Sequence, residues 1–217
     1  MDELIRVLVV DDHFVVRKGV CALLADAEGI AVAGEAADGR EAVAQAALLR
    51  PQVILMDLKL PELSGVEAIR AILADQPEVG IIVLTGCGVE AEVLAAVEAG
   101  AVGYLTKTAE REQLLTAIRR VAAGEPYIPA GLTRQLLGHL HSGSAGAVAE
   151  SLTEREAEVL RLLARGRSNQ KIAEELGIAE ITVRTHVSHV LGKLGVNNRV
   201  EAALHALRSG LVSLEEP

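Results

Sequence analysis

The pattern of apolar and polar positions divides the chain into two regions. Over the first 124 residues, short apolar runs rich in β-branched residues alternate with longer segments of helical periodicity. Several runs are continuously apolar, which is typical of strands buried on both faces of a parallel sheet. The predicted strands are Arg6–Val10, Ile30–Glu35, Val53–Met56, Ile81–Leu84 and Val102–Leu105. The helical segments cover approximately residues 14–26, 39–49, 64–75, 89–99 and 109–123.

Five βα units in a row predict a doubly wound α/β domain with a five-stranded parallel sheet and right-handed crossovers. The helix boundaries carry matching signals, since Ser64 has Glu67 three residues later and Gly124 follows the last helix. Residues 125–151 lose this periodicity and predict a linker, with one short helix over 132–140. Residues 152–212 show only short amphipathic helices. We therefore predict an α/β domain over 1–124, a linker over 125–151 and a small all-α domain over 152–217.

Composition and charge narrow the possible functions. The 217 residues contain no Trp, one Phe and two Tyr, which argues against an aromatic-lined pocket and against binding single strands by base stacking. The net charge is −9, and residues 1–151 carry all of it, because residues 152–217 hold nine basic and nine acidic side chains. A DNA-binding function must therefore be argued from local pattern. The start lacks a signal-peptide pattern and no apolar run is long enough to cross a membrane, so we expect a cytoplasmic protein without a membrane partner.

Reactive side chains follow four of the predicted strands. Asp11 and Asp12 follow the first strand, Asp57 ends the third, Thr85 ends the fourth, and Lys107 comes soon after the fifth. Ligands of a doubly wound sheet bind at this edge. Each acid alone would be a helix cap or a solvated charge, whereas together they indicate a site. Clustered carboxylates need a cation, and hard oxygen ligands suit Mg²⁺. A carboxylate can attack phosphorus, and a lysine and a hydroxyl can stabilise the transferred group.

Four motifs resemble the signature of two-component receiver domains, which have a flavodoxin-like fold. They are Val7–Asp12, Ile54–Asp57, Leu84–Gly86 and Gly103–Lys107, and the resemblance covers residues 5–123. It implies that Asp57 accepts a phosphoryl group from a sensor histidine kinase, with Lys107 assisting, and that Thr85 and Tyr104 form a switch pair. The implied Mg²⁺ ligands are Asp12, Asp57 and the backbone carbonyl of Lys59, with Asp11 acting mainly through water.

The last 66 residues contain a helix-turn-helix pattern. One helix ends at Gly177, and a second helix over roughly 179–194 has an apolar stripe with polar residues off it. Such a helix fits the major groove of DNA, although the pattern alone is also compatible with a helical docking domain. The segments Leu152–Glu156, Asn169–Gly177 and Thr182–Val187 resemble the LuxR-type DNA-binding domain. With the receiver in front, the whole chain resembles a NarL/FixJ-family response regulator.

The resemblance assigns the DNA contacts. Arg184, Thr185 and Ser188 take base-reading positions in the second helix. The remaining DNA contacts, mainly to phosphates, are assigned to Lys171, Thr182, Lys193 and Arg199. We expect phosphorylation of Asp57 to release the DNA-binding domain and to favour homodimers on a two-fold-related site in double-stranded DNA.

Three alternatives compete with this interpretation. A constitutive DNA binder would need a receiver without a working switch, which the complete acid set opposes. An autoinducer-sensing LuxR protein would need a pocket for a small molecule in front, which the receiver motifs oppose. A phosphatase that uses Asp57 as nucleophile would need a second Asp two residues later, where this chain has Lys59. We therefore predict a regulator rather than an enzyme.

Overall fold

The computed structural model describes residues 4–86, 90–128, 152–196 and 198–212. The chain forms two compact units: residues 1–123 with 127–129, and Gly124–Pro126 with residues 130–217. The predicted linker helix over 132–140 lies outside the described residues. Within the described ranges, no helix is both long and apolar enough to cross a membrane.

The first unit contains the predicted five-stranded parallel sheet, in the order β2-β1-β3-β4-β5. The strands are β1 (Ile5–Val10), β2 (Ile30–Ala36), β3 (Val53–Asp57), β4 (Gly80–Thr85) and β5 (Gly103–Thr106). β1 and β3 are neighbours in the sheet, with Val10 opposite Met56. The chain reverses its direction of winding here, so the loops after these two strands leave a crevice between them. This crevice positions the candidate site.

Five helices cover the two faces of the sheet. They are α1 (Phe14–Ala25), α2 (Gly39–Leu49), α3 (Gly65–Asp75), α4 (Glu90–Glu98) and α5 (Arg111–Ala122). Alternate strand residues face opposite cores, as the pleat of a strand requires. Leu8 and Val10 pack with residues of α2, α3 and α4, whereas Val7 and Val9 pack with residues of α1 and α5. The sheet is therefore buried on both sides, as its continuously apolar strands predict.

The helix starts follow the predicted capping chemistry. Ser64 and Glu67 form a reciprocal capping box at the start of α3, where Ser64 Oγ accepts from the backbone N–H of Glu67. Such a cap satisfies backbone donors that a helix leaves unpaired at its first turn. α3 follows the strand that carries Asp57, so this cap also fixes where the chain leaves the site.

In the described part of the second unit, short helices surround a separate aliphatic core. They are α6 (Glu154–Ala164), α7 (Asn169–Leu176), α8 (Glu180–Leu194) and α9 (Arg199–Arg208). The core joins residues from all four, among them Leu160, Ile172, Val183 and Ala202. Gly177 turns the chain between α7 and α8 with φ 64°, a conformation that costs glycine little. The structure thus confirms a small helical domain after the α/β domain.

Candidate functional site

The predicted acidic residues meet in the crevice beyond β1 and β3. Asp11 is 1% exposed and Asp57 is 4% exposed, while the side chain of Asp12 is 34% exposed. One carboxylate oxygen from each, together with a ring nitrogen of His13, lie within 4.8 Å of one another. Buried carboxylates this close repel one another unless a cation compensates their charge. The geometry therefore brings the predicted acid set together.

Lys107 supplies a positive charge to this cluster. Its Nζ lies 2.6 Å from Asp11 Oδ2 and 2.6 Å from Asp57 Oδ2. Its backbone N–H donates to the carbonyl oxygen of Thr85 at 2.7 Å, which fixes the turn after β5 against the end of β4. Burial alone would lower the pKa of Lys107, but the hydrogen bonds to Asp11 and Asp57 raise it above its ordinary value. Lys107 is therefore positively charged at neutral pH and bridges two carboxylates of the acid cluster.

The backbone around Asp57 is closely packed. The N–H of Lys59 donates to Asp57 Oδ1 at 3.2 Å, which orients the carboxylate; the predicted role of the Lys59 carbonyl as a metal ligand stays a prediction. Gly65, at the start of α3, approaches so closely that a Cβ there would lie 2.2 Å from the carbonyl oxygen of Asp57. Only glycine allows this approach without a shift of the backbone.

The two residues of the predicted switch pair lie on β4 and β5. Thr85 is buried at the end of β4, and the following Gly86 is exposed with open space where a side chain would stand. Tyr104 lies on the neighbouring strand, is half-buried and packs against the core shared with α2, α3 and α4. The pairing of β4 with β5 sets Val83 opposite Tyr104, two residues before Thr85. Their roles as a switch stay predictions.

The contacts of two residues at and after the β1–α1 loop, His13 and Arg17, escaped the sequence analysis. His13 Nδ1 lies 2.6 Å from Asp12 Oδ1, so this ring contacts a predicted metal ligand. Arg17 donates to the backbone carbonyl of Asp11 at 2.6 Å and to Glu35 Oε2 at 3.2 Å. These bonds hold the loop that carries both acids. His13 is adjacent to the acid pair in sequence, which is a weak signal, but no spacing rule links Arg17 to Glu35.

In the second unit, α8 presents the predicted base-reading residues to the outside. Arg184, Thr185 and Ser188 are exposed, as is Thr182. Arg184 donates to Glu180 Oε1 at 2.9 Å, a pair within the helix that is exposed to water. A pair of this kind contributes little to stability. The helix therefore has a buried face and an exposed face that carries the predicted base-reading residues, as a DNA-reading helix requires.

The three predicted phosphate-contacting residues are in different environments. Lys171 is exposed at the start of α7, with Nζ 2.5 Å from a carboxylate oxygen of Glu125 in the same unit. Arg199 is half-buried and donates to the backbone carbonyl of Arg167 at 2.7 Å. Burial lowers the pKa of Arg199 to about 10. All three DNA roles, including that of Lys193, stay predictions.

Lys193 joins a buried ion pair instead of projecting freely. Its Nζ lies 2.7 Å from Glu156 Oε2, and the Lys193 side chain is 24% exposed. Glu156 is 4% exposed and also accepts from the backbone N–H of Thr153 at 2.8 Å. The hydrogen bond from Lys193, followed by that from Thr153, holds the pKa of Glu156 at about 2. The pair joins the first turn of α6 to the last turn of α8.

Comparison with known proteins identifies the family of each unit. Residues 7–119 match the family described as response regulator receiver domain, and residues 150–206 match the family described as bacterial regulatory proteins, luxR family. The chain belongs to the LuxR-type response regulators. This response regulator is 43% identical over 211 residues to the transcriptional regulatory protein LiaR of Bacillus subtilis (strain 168), covering 97% of this chain and 100% of LiaR. It is 39% identical to the response regulator GacA of Pseudomonas aeruginosa, covering 96% of this chain and 98% of GacA.

Solved structures show the same relationship. The response regulator ChrA of a heme-sensing two-component system is 34% identical, with a TM-score of 0.54, and the match covers 98% of this chain and 100% of ChrA. A structure of two RcsB dimers bound to two parallel DNAs is 28% identical, with a TM-score of 0.56, over 95% of this chain and 99% of RcsB. By these names the family consists of transcription regulators, and this chain is a response regulator of transcription.

Proposed function

We propose that a sensor histidine kinase phosphorylates this response regulator on Asp57, and that the phosphorylated form binds double-stranded DNA as a dimer. The observation that carries the proposal is the buried carboxylate of Asp57, held between Lys107 and the acid pair at the crevice of the sheet. A carboxylate in this setting is an acceptor for a phosphoryl group, because the surrounding charges are already arranged for the transferred anion.

The residues of the crevice have different roles in phosphoryl transfer. An oxygen of Asp57 forms a new bond to phosphorus while the bond from phosphorus to the nitrogen of the donor histidine breaks. The N–H of Lys59 orients the carboxylate before the reaction. The ammonium group of Lys107, now bonded to Asp57 Oδ2 and Asp11 Oδ2, then compensates charge on the phosphoryl oxygens.

The acid set fits the Mg²⁺ that receiver domains use. Its donors are hard oxygens within 4.8 Å of one another, and one lysine does not balance three carboxylates. Asp11, Asp12, Asp57 and the backbone carbonyl of Lys59 would hold the ion. When bound, Mg²⁺ neutralises the acids and the entering phosphoryl group. The contact of His13 Nδ1 with Asp12 Oδ1 orients this exposed ligand.

Phosphorylation changes the conformation of residues on β4 and β5. The hydroxyl of Thr85 moves towards a phosphoryl oxygen, and the space beside Gly86 admits the group. The half-buried ring of Tyr104 then turns into the vacated volume and changes the surface of β5 and its neighbouring helices. This is a population shift between two packings, which releases the second unit and favours dimers. α8 then enters the major groove, where Arg184, Thr185 and Ser188 read bases.

Intact mass spectrometry tests the first step. The full chain is incubated with Mg²⁺ and acetyl phosphate, in parallel with Asp57→Asn and with Asp75→Asn. Asp75 is an exposed carboxylate at the other end of α3, paired with Arg50, and serves as a matched control. We expect one added phosphoryl group on the wild type and on Asp75→Asn, and none on Asp57→Asn. Equal addition to Asp57→Asn would contradict the assignment of the acceptor.

DNA selection and light scattering test the second step. We expect the phosphorylated chain to form dimers and to select a two-fold-related sequence with higher affinity than the unphosphorylated chain. Identical affinity and mass in the two states would contradict the switch and favour the constitutive DNA binder.

A further inference from the structure

One large apolar side chain on the DNA-reading helix is exposed without an evident structural role. Ile181 lies in the first turn of α8 and is 68% exposed. The large apolar side chains exposed in the described parts of the chain are Leu4, Phe14, Val15, Leu23, Leu48 and Ile181. Of these, Ile181 alone lies in the second unit, on the helix to which the sequence assigns base reading.

Helix geometry places Ile181 in line with the predicted base readers. Ile181, Thr185, Ser188 and Gly192 are spaced by four, three and four residues and are all exposed, so they form one row along α8. The buried residues Val183 and Val190 lie on the other side of the helix. Ile181 therefore begins the outermost row, and the first turns of a recognition helix are the part that contacts base edges.

The neighbouring Thr185 makes the start of this row more apolar. Its hydroxyl donates to the backbone carbonyl of Ile181 at 3.1 Å, so its polar group is engaged by the helix itself. The Thr185 methyl group and the Ile181 side chain then share an apolar surface beside Arg184. Such a surface, placed against polar base edges, would leave donors or acceptors unpaired, which is unfavourable.

Only one base offers an apolar group in the major groove. Thymine carries a C5-methyl group there, whereas the edges of the other bases present hydrogen-bond donors and acceptors. We propose that Ile181 is a specificity-determining residue that packs against the C5-methyl group of a thymine in each half-site. This inference rests on the proposed DNA binding and adds the identity of one base and of the residue that reads it.

The test removes the methyl group from the DNA and the side chain from the protein. DNA selection with the phosphorylated full chain first gives a binding sequence, and each thymine of that sequence is then replaced by uracil. For the wild type, we expect one position in each half-site at which uracil weakens binding about fourfold, the effect of one buried carbon group. For Ile181→Ala, we expect weaker binding to the thymine site and no difference between thymine and uracil there.

Two variants control for indirect effects. Ile181→Val keeps a branched apolar side chain and should retain the preference for thymine. Leu48→Ala removes an equally exposed apolar residue, 77% exposed on α2 of the first unit, and should leave the preference unchanged. Circular dichroism of each variant verifies that the helical content is that of the wild type.

The outcomes separate this inference from the proposed function. If the wild type selects no sequence, the proposed specific DNA binding itself fails. If it selects a sequence but tolerates uracil at every position, or if Ile181→Ala keeps the thymine preference, the role of Ile181 is overturned and the function stands. If Ile181→Ala lowers dimer formation and leaves the thymine preference intact, the exposed side chain is a protein contact, which also overturns the inference.

Discussion

Each unit of the molecule buries a carboxylate beside a lysine, but the ratio of negative to positive side chains differs between the two sites. In the first unit, the carboxylates of Asp11 and Asp57 share Lys107, and Asp12 adds a third negative charge. In the second unit, Glu156 has Lys193 as its own partner and a backbone N–H from Thr153. The first site therefore has more carboxylates than lysines, whereas in the second site one carboxylate is paired with one lysine.

This difference in charge distinguishes a site that is suited to a reaction from an ion pair that stabilises the packing of two helices. A surplus of buried negative charge is unfavourable unless a further cation binds, so the first site is prepared for Mg²⁺ and a phosphoryl group. A carboxylate paired with one lysine needs no further cation. The pair of Glu156 with Lys193 instead holds the C-terminal turn of α8 against α6. The same residue types thus serve chemistry in one unit and the orientation of a helix in the other.

Lys107→Met tests the surplus of charge most directly. Removing the lysine leaves two buried carboxylates without their cation, and we expect the first unit to lose about 3 kcal/mol of unfolding free energy without Mg²⁺. Added Mg²⁺ should recover more stability in the variant than in the wild type, because it binds the folded acid cluster. Urea unfolding followed by tyrosine fluorescence measures this, since Tyr104 and Tyr127 are the only tyrosines and lie in the first unit.

Lys18→Met is the matched control, because Lys18 pairs with Glu35 at 2.6 Å while half exposed to water. We expect a change below about 1 kcal/mol there. Equal losses in Lys107→Met and Lys18→Met, neither responding to Mg²⁺, would contradict the surplus of charge.

Gly65→Ala tests the scaffold of the same site without touching a charge. The new Cβ would lie 2.2 Å from the Asp57 carbonyl oxygen and 2.7 Å from Leu58 Cα, so the backbone must shift. We expect a loss of about 2 kcal/mol in the first unit and slower phosphorylation by acetyl phosphate. Gly19→Ala on α1 is the control, because a Cβ there meets nothing within 4 Å. Wild-type stability and phosphorylation in Gly65→Ala would show that the site does not depend on this contact.

The sequence predicted the first site better than the second, for a physical reason. Parallel strands bring their carboxyl ends to one edge, so residues at or just after the ends of β1, β3, β4 and β5 lie along that edge, and the acid set was found from strand positions alone. The strands agree with the predictions to within one residue at each end. By contrast, the bonds of Arg17 and His13 depend on side-chain conformations in a loop.

The ion pair of Lys193 is a contact between two helices that the local sequence pattern does not predict. It lies off the apolar stripe of α8, which predicts an outward side chain free to contact phosphate. Its partner Glu156 stands 37 residues earlier on another helix, and only the packing of α6 against α8 brings the two together.

Lys193→Met tests whether Lys193 acts through its ion pair with Glu156 or through a contact with a DNA phosphate. Loss of the ion pair should destabilise the second unit, by less than Lys107→Met destabilises the first unit and with no recovery in Mg²⁺, and hydrogen exchange in α6 and α8 measures this. If Lys193 acts only through Glu156, DNA affinity falls while its salt dependence stays that of the wild type. If Lys193 contacts a phosphate, the slope of log affinity against log salt falls by about 0.9. That second result would restore the prediction made from the sequence.

The smallest expected effect is the loss of stability of the second unit at acid pH, and it depends on one residue, Glu156. The pKa of Glu156 is held at about 2, below its ordinary value of 4.5, so the folded state favours the ionised form. The stability that this group contributes is present above about pH 4.5 and is lost as the pH falls towards 2. Hydrogen-exchange protection in the second unit, taken relative to the intrinsic exchange rate at each pH, should therefore fall over this window in the wild type and change less in Glu156→Gln. Glu154→Gln, an exposed carboxylate in the same first turn, should follow the wild type. An unchanged acid profile in Glu156→Gln would mean that the pair with Lys193 does not hold α6 and α8 together.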